Sequence, residues 1–197
     1  MRPPRGPNGR RDDALLARFV ATFEQHDDLT CLPSEPAPPE LASPEADDRD
    51  GWRPAAIRTG RDQLEALYQK VPGPFPALYE QLVLSYRWLA VHLETAMLLG
   101  NPPGATLDGL ASAILRDAVL VNTLLPAGLI PFGRVSGGGY DPMCFDLRAR
   151  KRDDCPIVQV EHESVLCHDR IGETWLRYPS FRELVCETID RAQSQED

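Results

Sequence analysis

Residues 125–163 read LPAGLIPFGRVSGGGYDPMCFDLRARKRDDCPIVQVEHE. Three short apolar segments lie in this run, each closed by turn residues. Leu129-Ile130-Pro131-Phe132-Gly133 is the first, and Ser136-Gly137-Gly138-Gly139 follows it as a turn. Residues 142–147 make the second strand, residues 148–154 a charged hairpin loop, and Ile157-Val158-Gln159-Val160 alternates into a third strand. Loops this short cannot hold the crossover that parallel strands need, so the pairing is antiparallel. Cys144 and Phe145 are neighbours on one strand and must face opposite sides of the sheet.

Helical spacing flanks this run on both sides. Downstream, Ser180 is a natural N-cap with Glu183 three residues on, and Phe181, Leu184, Val185, Thr188 and Ile189 form the inward stripe. Residues 164–178 hold a further strand or an irregular return. Upstream, Leu64, Leu67, Tyr68 and Val71 predict a helix over 62–71, stopped by Pro72-Gly73-Pro74. A second helix over 75–88 turns Leu78, Leu82, Val83 and Tyr86 inward, with Pro74 and Pro76 suited to its first turn. Alternation in Ala90-Val91-His92-Leu93-Glu94 favours strand, and Asn101-Pro102-Pro103-Gly104 breaks the chain. Residues 107–115 are helical again, and 118–125 extend that helix. The class is α+β: an antiparallel meander of about four to six strands flanked by helices.

The N-terminal part is organised differently. Residues 1–11 are rich in Pro, Gly and Arg and read as a disordered tail. Leu15, Leu16, Phe19, Val20 and Phe23 make residues 12–26 an amphipathic helix, with Asp12 and Asp13 placed to favour its N-terminus. Residues 27–54 hold many of the prolines together with Glu35, Glu40, Glu45, Asp47, Asp48 and Asp50, and read as an acidic linker. The main domain spans 55–192.

A net charge of −9 argues against nucleic acid as a partner and suits a basic protein face. No run approaches the roughly 18 apolar residues that span a bilayer, so no membrane partner is expected. Arg10-Arg11 is followed by acids and an amphipathic pattern, without the apolar stretch of a secretory signal. The five cysteines include no Cys-x-x-Cys pair and read as reduced thiols of a cytoplasmic protein.

Three constellations resemble chemistry. The glycines of 137–139 could cradle a phosphate, but such loops open a helix and this one enters a strand, where tight turn geometry accounts for them. Cys144 with His162 and Asp141 or Asp146 has the residue types of a thiol hydrolase, although a Cys in an apolar strand is usually a buried thiol. His162, Cys167 and His168 with Glu161 or Glu163 follow no known zinc spacing. No catalytic residue, metal ligand or cofactor is therefore assigned.

In order and spacing, several segments resemble the SUKH superfamily, which groups a fungal cell-wall-assembly regulator with bacterial toxin-immunity proteins. They are Leu125 to Gly133, the Gly-rich turn entering Tyr140-Asp141-Pro142, Cys144-Phe145-Asp146, Pro156 to Val158, Glu161-His162-Glu163 and Ser180 to Leu184. The Val71-Pro72-x-x-Phe-Pro start of the second helix also fits. The resemblance covers residues 63–187 and departs at Glu161, where Asp is expected. It implies a non-catalytic domain that binds a protein, such as a toxin to be neutralised, with a regulatory scaffold as the alternative. Tyr140, Asp141, Glu161, His162, Glu163 and Trp175 are the expected partner-binding residues, and Trp88, Tyr140 and Trp175 the candidate aromatic anchors. The sequence does not specify an oligomeric state.

Overall fold

Each strand pairs antiparallel with the one before it, giving a six-stranded meander: β1 (Val91–His92), β2 (Ala96–Leu98), β3 (Leu129–Val135), β4 (Pro142–Asp146), β5 (Ile157–Val160) and β6 (Thr174–Tyr178). The structure is a computed structural model that describes residues 7–23, 38–42, 52–137 and 139–194. In the β3–β4 ladder Pro131 faces Cys144 and Gly133 faces Met143, so the register shifts between them. Pro131 has no N–H for a ladder, and a bulge is where a sheet interior accepts such a residue. A Cβ on Gly133 would stand 2.4 Å from the Met97 carbonyl oxygen, so β2 approaches β3 this closely only over a glycine.

The pleat divides the side chains between two cores. Ile130, Phe132, Met143, Phe145 and Ile157 face the larger one. Leu129, Cys144, Val158 and Val160 face a smaller one, closed by Leu120, Leu124 and Val165. The helices that supply these lids are α1 (Pro7–Ala21), α2 (Asp62–Tyr68), α3 (Ala77–Ser85), α4 (Asp108–Leu115), α5 (Ala118–Leu124), α6 (His162–His168) and α7 (Phe181–Ser194). Those numbered α1 to α4 and α7 cover the larger core, while α5 and α6 cover the smaller. The sheet is thus sandwiched between helices, as the α+β pattern requires. Among the described residues no helix is long and apolar enough to cross a membrane.

Aromatic rings hold the larger core together. Phe132 and Phe145 stack at 4.1 Å and 10°, and Phe181 of α7 meets both edge-on at 6.2 and 5.8 Å. Tyr79 of α3 adds edge contacts to Phe132, Phe145 and Phe181, and Phe19 of α1 one to Phe181. Such pairs add about 0.5–1.5 kcal/mol beyond the area that they bury.

The β4–β5 loop anchors two helix starts. Asp154 Oδ1 accepts from the backbone N–H groups of Cys155 (2.8 Å) and Phe181 (3.2 Å), and Ser180 Oγ caps Glu183 N–H at 3.1 Å. Ala77, at the head of α3, donates its N–H to the Asp153 carbonyl at 2.7 Å. Arg150 donates to the carbonyls of Pro74 (2.6 Å) and Phe75 (3.3 Å), while Arg148 grips Asp146 through Nε (2.8 Å) and Nη2 (2.9 Å). Of the four cations in this loop, Arg148, Arg150, Lys151 and Arg152, the first two are therefore structural.

Several expectations are corrected. The first helix begins at Pro7 within the expected tail, since a proline fits a first helical turn. Asp12 and Asp13 consequently lie inside it, where Asp12 pairs with Arg182 of α7 at 2.7 Å and Asp13 accepts from Gln81 of α3. With Leu16, Phe19 and Phe23 buried, α1 is part of the core. Part of the expected linker also packs: Leu41 and Trp52 are buried, and Arg53 N–H donates to the Leu41 carbonyl at 2.8 Å. Residues 1–6, 24–37 and 43–51, with most of the acidic run, lie outside the described residues.

Asp117 accepts from the N–H groups of Val119 and Leu120, both at 3.1 Å, and so starts α5 as a separate helix. The return over 164–178 is helix α6 followed by β6. Trp88 is fully buried with its indole N–H on the Leu99 carbonyl at 3.0 Å, a core residue and not an anchor.

The Tyr79 hydroxyl is buried without a hydrogen-bond partner among the described residues, and burial pushes its pKa up. An orphaned buried hydroxyl destabilises the folded state. Tyr79→Phe is expected to raise stability by about 1 kcal/mol, read as a higher denaturant midpoint at unchanged m-value.

Candidate functional site

In an up-and-down sheet alternate connections share one end, so those of β1–β2, β3–β4 and β5–β6 lie together. Ser136 Oγ donates to the Leu93 carbonyl at 2.9 Å, tying two of them. Gly137 sits at φ +91°, a turn conformation that side chains rarely adopt, and Val135 N–H reaches the Asp141 carbonyl at 3.3 Å. That closure delivers Tyr140 and Asp141 to the rim beside the end of β5.

Asp141 organises the corner. Its Oδ2 accepts from the Gln159 amide at 2.6 Å; its Oδ1 accepts from the His162 backbone N–H at 3.0 Å and lies 2.6 Å from His162 Nδ1. Burial alone would raise this carboxyl's pKa. The hydrogen bonds from His162 and Gln159 together outweigh it and hold the group below the usual carboxylate range. An ionised carboxylate only accepts, so the His162 proton is assigned to Nδ1, leaving Nε2 as the second position.

Tyr140 stands over this pair at 67% exposure, its ring 5.8 Å from that of His162, with the Arg134 guanidinium 5.8 Å from the ring centroid. The arrangement presents an aromatic ring to solvent while restricting it from two sides.

The six expected residues fall into three groups. Tyr140, Asp141 and His162 meet directly. Trp175, 40% exposed, faces Gln159 in the β5–β6 register and joins the corner through that residue. Glu161 turns to Ser164, whose hydroxyl donates to its carboxylate, and Glu163 is exposed on the first turn of α6. His162 and Glu163 thus open helix α6 directly after β5. Arg134 and Gln159 were missed; each is a polar interruption of an apolar strand, the one available sign.

The chemical alternatives meet physical obstacles. Cys144 is fully buried in the smaller core, and burial pushes its thiol up, away from the thiolate that nucleophilic attack requires. The Gly-rich turn leads into β4 and not a helix. Among the described residues no three His, Cys, Asp or Glu side chains are grouped to hold a metal ion.

A groove of about 570 Å³ runs along α7, lined by Glu94, Glu183, Glu187 and Asp190 with Arg177 and Arg191. Four carboxylates against two guanidinium groups make it acidic.

A carboxyl whose folded pKa lies below its unfolded value stabilises the fold above the unfolded pKa, and that stability is lost as pH falls through the folded one. Asp141→Asn should therefore cost about 1–3 kcal/mol at neutral pH, where hydrogen bonds to a charged group are removed. The deficit should shrink as pH falls below the ordinary carboxylate pKa and through the depressed folded one, where the wild-type carboxyl becomes protonated in both states. Paired urea titrations across pH provide the check.

The chain matches no family model and no curated protein, so its function is argued from this corner.

Proposed function

We propose that this protein is a non-catalytic binding domain that works as a cytoplasmic immunity protein, covering the active site of a cognate toxin. The observation that carries the reading is Tyr140. A ring that remains exposed yet is restrained by Arg134 and His162 has little freedom left to lose on binding, which is what makes an interface anchor effective. Around it lie Asp141, Glu161 and Glu163, with the acidic α7 groove on the same molecule. Together with the net charge of −9, these groups favour a basic partner face and speed its encounter. The free thiols Cys144, Cys155, Cys167 and Cys186 fit a reducing compartment.

Co-expression with any toxin encoded beside its gene tests the idea. The wild-type chain should restore growth and co-purify with that toxin. Tyr140→Ala should weaken the complex by about 2 kcal/mol, roughly 30-fold in Kd, with an unchanged circular dichroism spectrum. A toxin that kills equally with and without the chain sinks the proposal.

A further inference from the structure

The α7 groove holds a polar group that the fold leaves unused. Tyr178 ends β6 and is only 8% exposed, yet its hydroxyl makes no hydrogen bond among the described residues. It is not sealed in the interior as the Tyr79 hydroxyl is. The charges that act on it, Glu187, Arg191 and Arg177, all line the groove, as Tyr178 itself does. A hydroxyl carries one donor and two acceptor lone pairs, so an unpartnered one that opens into a groove is a place for a ligand's polar group.

The fold sets carboxylates around this hydroxyl. Glu183, Glu187, Asp190 and Ser194 recur every three or four residues on α7 and form one stripe. Glu94 joins them from the β1–β2 turn, where the Thr95 hydroxyl meets that of Thr188 on α7 at 2.6 Å. Arg191 grips Glu187 through Nε (2.9 Å) and Nη2 (2.6 Å), so that pair is neutral within itself. Glu183 and Asp190 are exposed and make no ion pair among the described residues. At a rise of about 1.5 Å per residue, the three α7 carboxylates stand about 6 and 4.5 Å apart along the helix axis. Same-side residues of an extended chain stand about 6.6 Å apart, close to that spacing.

We propose that the α7 groove binds an extended basic peptide: lysine or arginine side chains of a partner protein reach Glu183 and Asp190, and a backbone amide of the same segment pairs with the Tyr178 hydroxyl. Charge selects this occupant. An acidic segment would be repelled, and an apolar one would bury carboxylates without partners. A volume of about 570 Å³ is ordinary for a ligand site. For its class of partner the inference rests on the protein-binding reading. It uses neither Tyr140 nor a toxin, so the two can fail separately.

Fluorescence anisotropy of the full chain with a labelled heptapeptide of alternating glycine and arginine, three arginines in all, tests it. Binding should be micromolar and should weaken as salt rises. Glu183→Gln and Asp190→Asn should each weaken it about threefold and together about tenfold, since exposed ion pairs are individually weak. Tyr178→Phe removes no charge and should still cost about fivefold, the effect of one lost hydrogen bond, at an unchanged denaturant midpoint. Glu40→Gln/Glu65→Gln removes two exposed carboxylates outside the groove and should change affinity by less than about twofold. No binding overturns the proposal, as does a loss in that control equal to the loss in the groove double variant. So does Tyr178→Phe binding as the wild type does. Spermidine bears the same three charges without a peptide backbone, and its displacing the peptide at equal concentration also overturns the proposal.

Discussion

The stack of Phe132 on Phe145, crossed by Phe181 and Tyr79, is the contact on which the rest of the molecule depends. It joins the two central strands to α3 and α7 in one place, and Phe19 extends it to α1. It also settles the facing of the sheet. With Phe145 inward, Cys144 must point to the far side, where α5 and α6 close the smaller core. A one-residue slip in β4 would exchange a phenyl ring for a thiol in the larger core, so the register is strongly specified.

The fold was legible wherever a local rule coincided with burial. β3, β4 and β5 follow from apolar runs bounded by turns, and α7 from Ser180 and Glu183. The departures occur where distant contacts decide. Nothing near Pro7 announces a helix, because what holds that helix is Asp12 on Arg182 and Phe19 on Phe181, more than 150 residues away in sequence. Leu41 and Trp52 sit among prolines and acids, so composition predicts an extended linker while two large side chains dock on the core. α6 was missed because it is a single short amphipathic stretch with one buried apolar residue, Val165.

The corner was legible in part for a related reason. Tyr140, Asp141 and His162 stand out in the sequence as a turn and an acidic histidine motif, and the structure brings them into contact. The residues that organise them do not stand out. Gln159 reaches Asp141 because the β4–β5 register places it there, and Arg134 reaches Tyr140 because the β3–β4 connection folds back. A hydrogen-bond network assembled across strands leaves no spacing for a motif to record.

The β4–β5 loop, with Asp153, Asp154 and Arg150 clamping the heads of α3 and α7, gives the two ends of the sheet different freedoms. A change at that end would loosen two helices at once. At the opposite end the β3–β4 connection passes through Gly137, where added bulk meets nothing within 4 Å and only the backbone conformation is demanding. Insertions and substitutions there can remodel what Tyr140 presents without disturbing the aromatic core. A lineage needing to follow a changing partner could diversify one rim of this domain while inheriting the other unaltered.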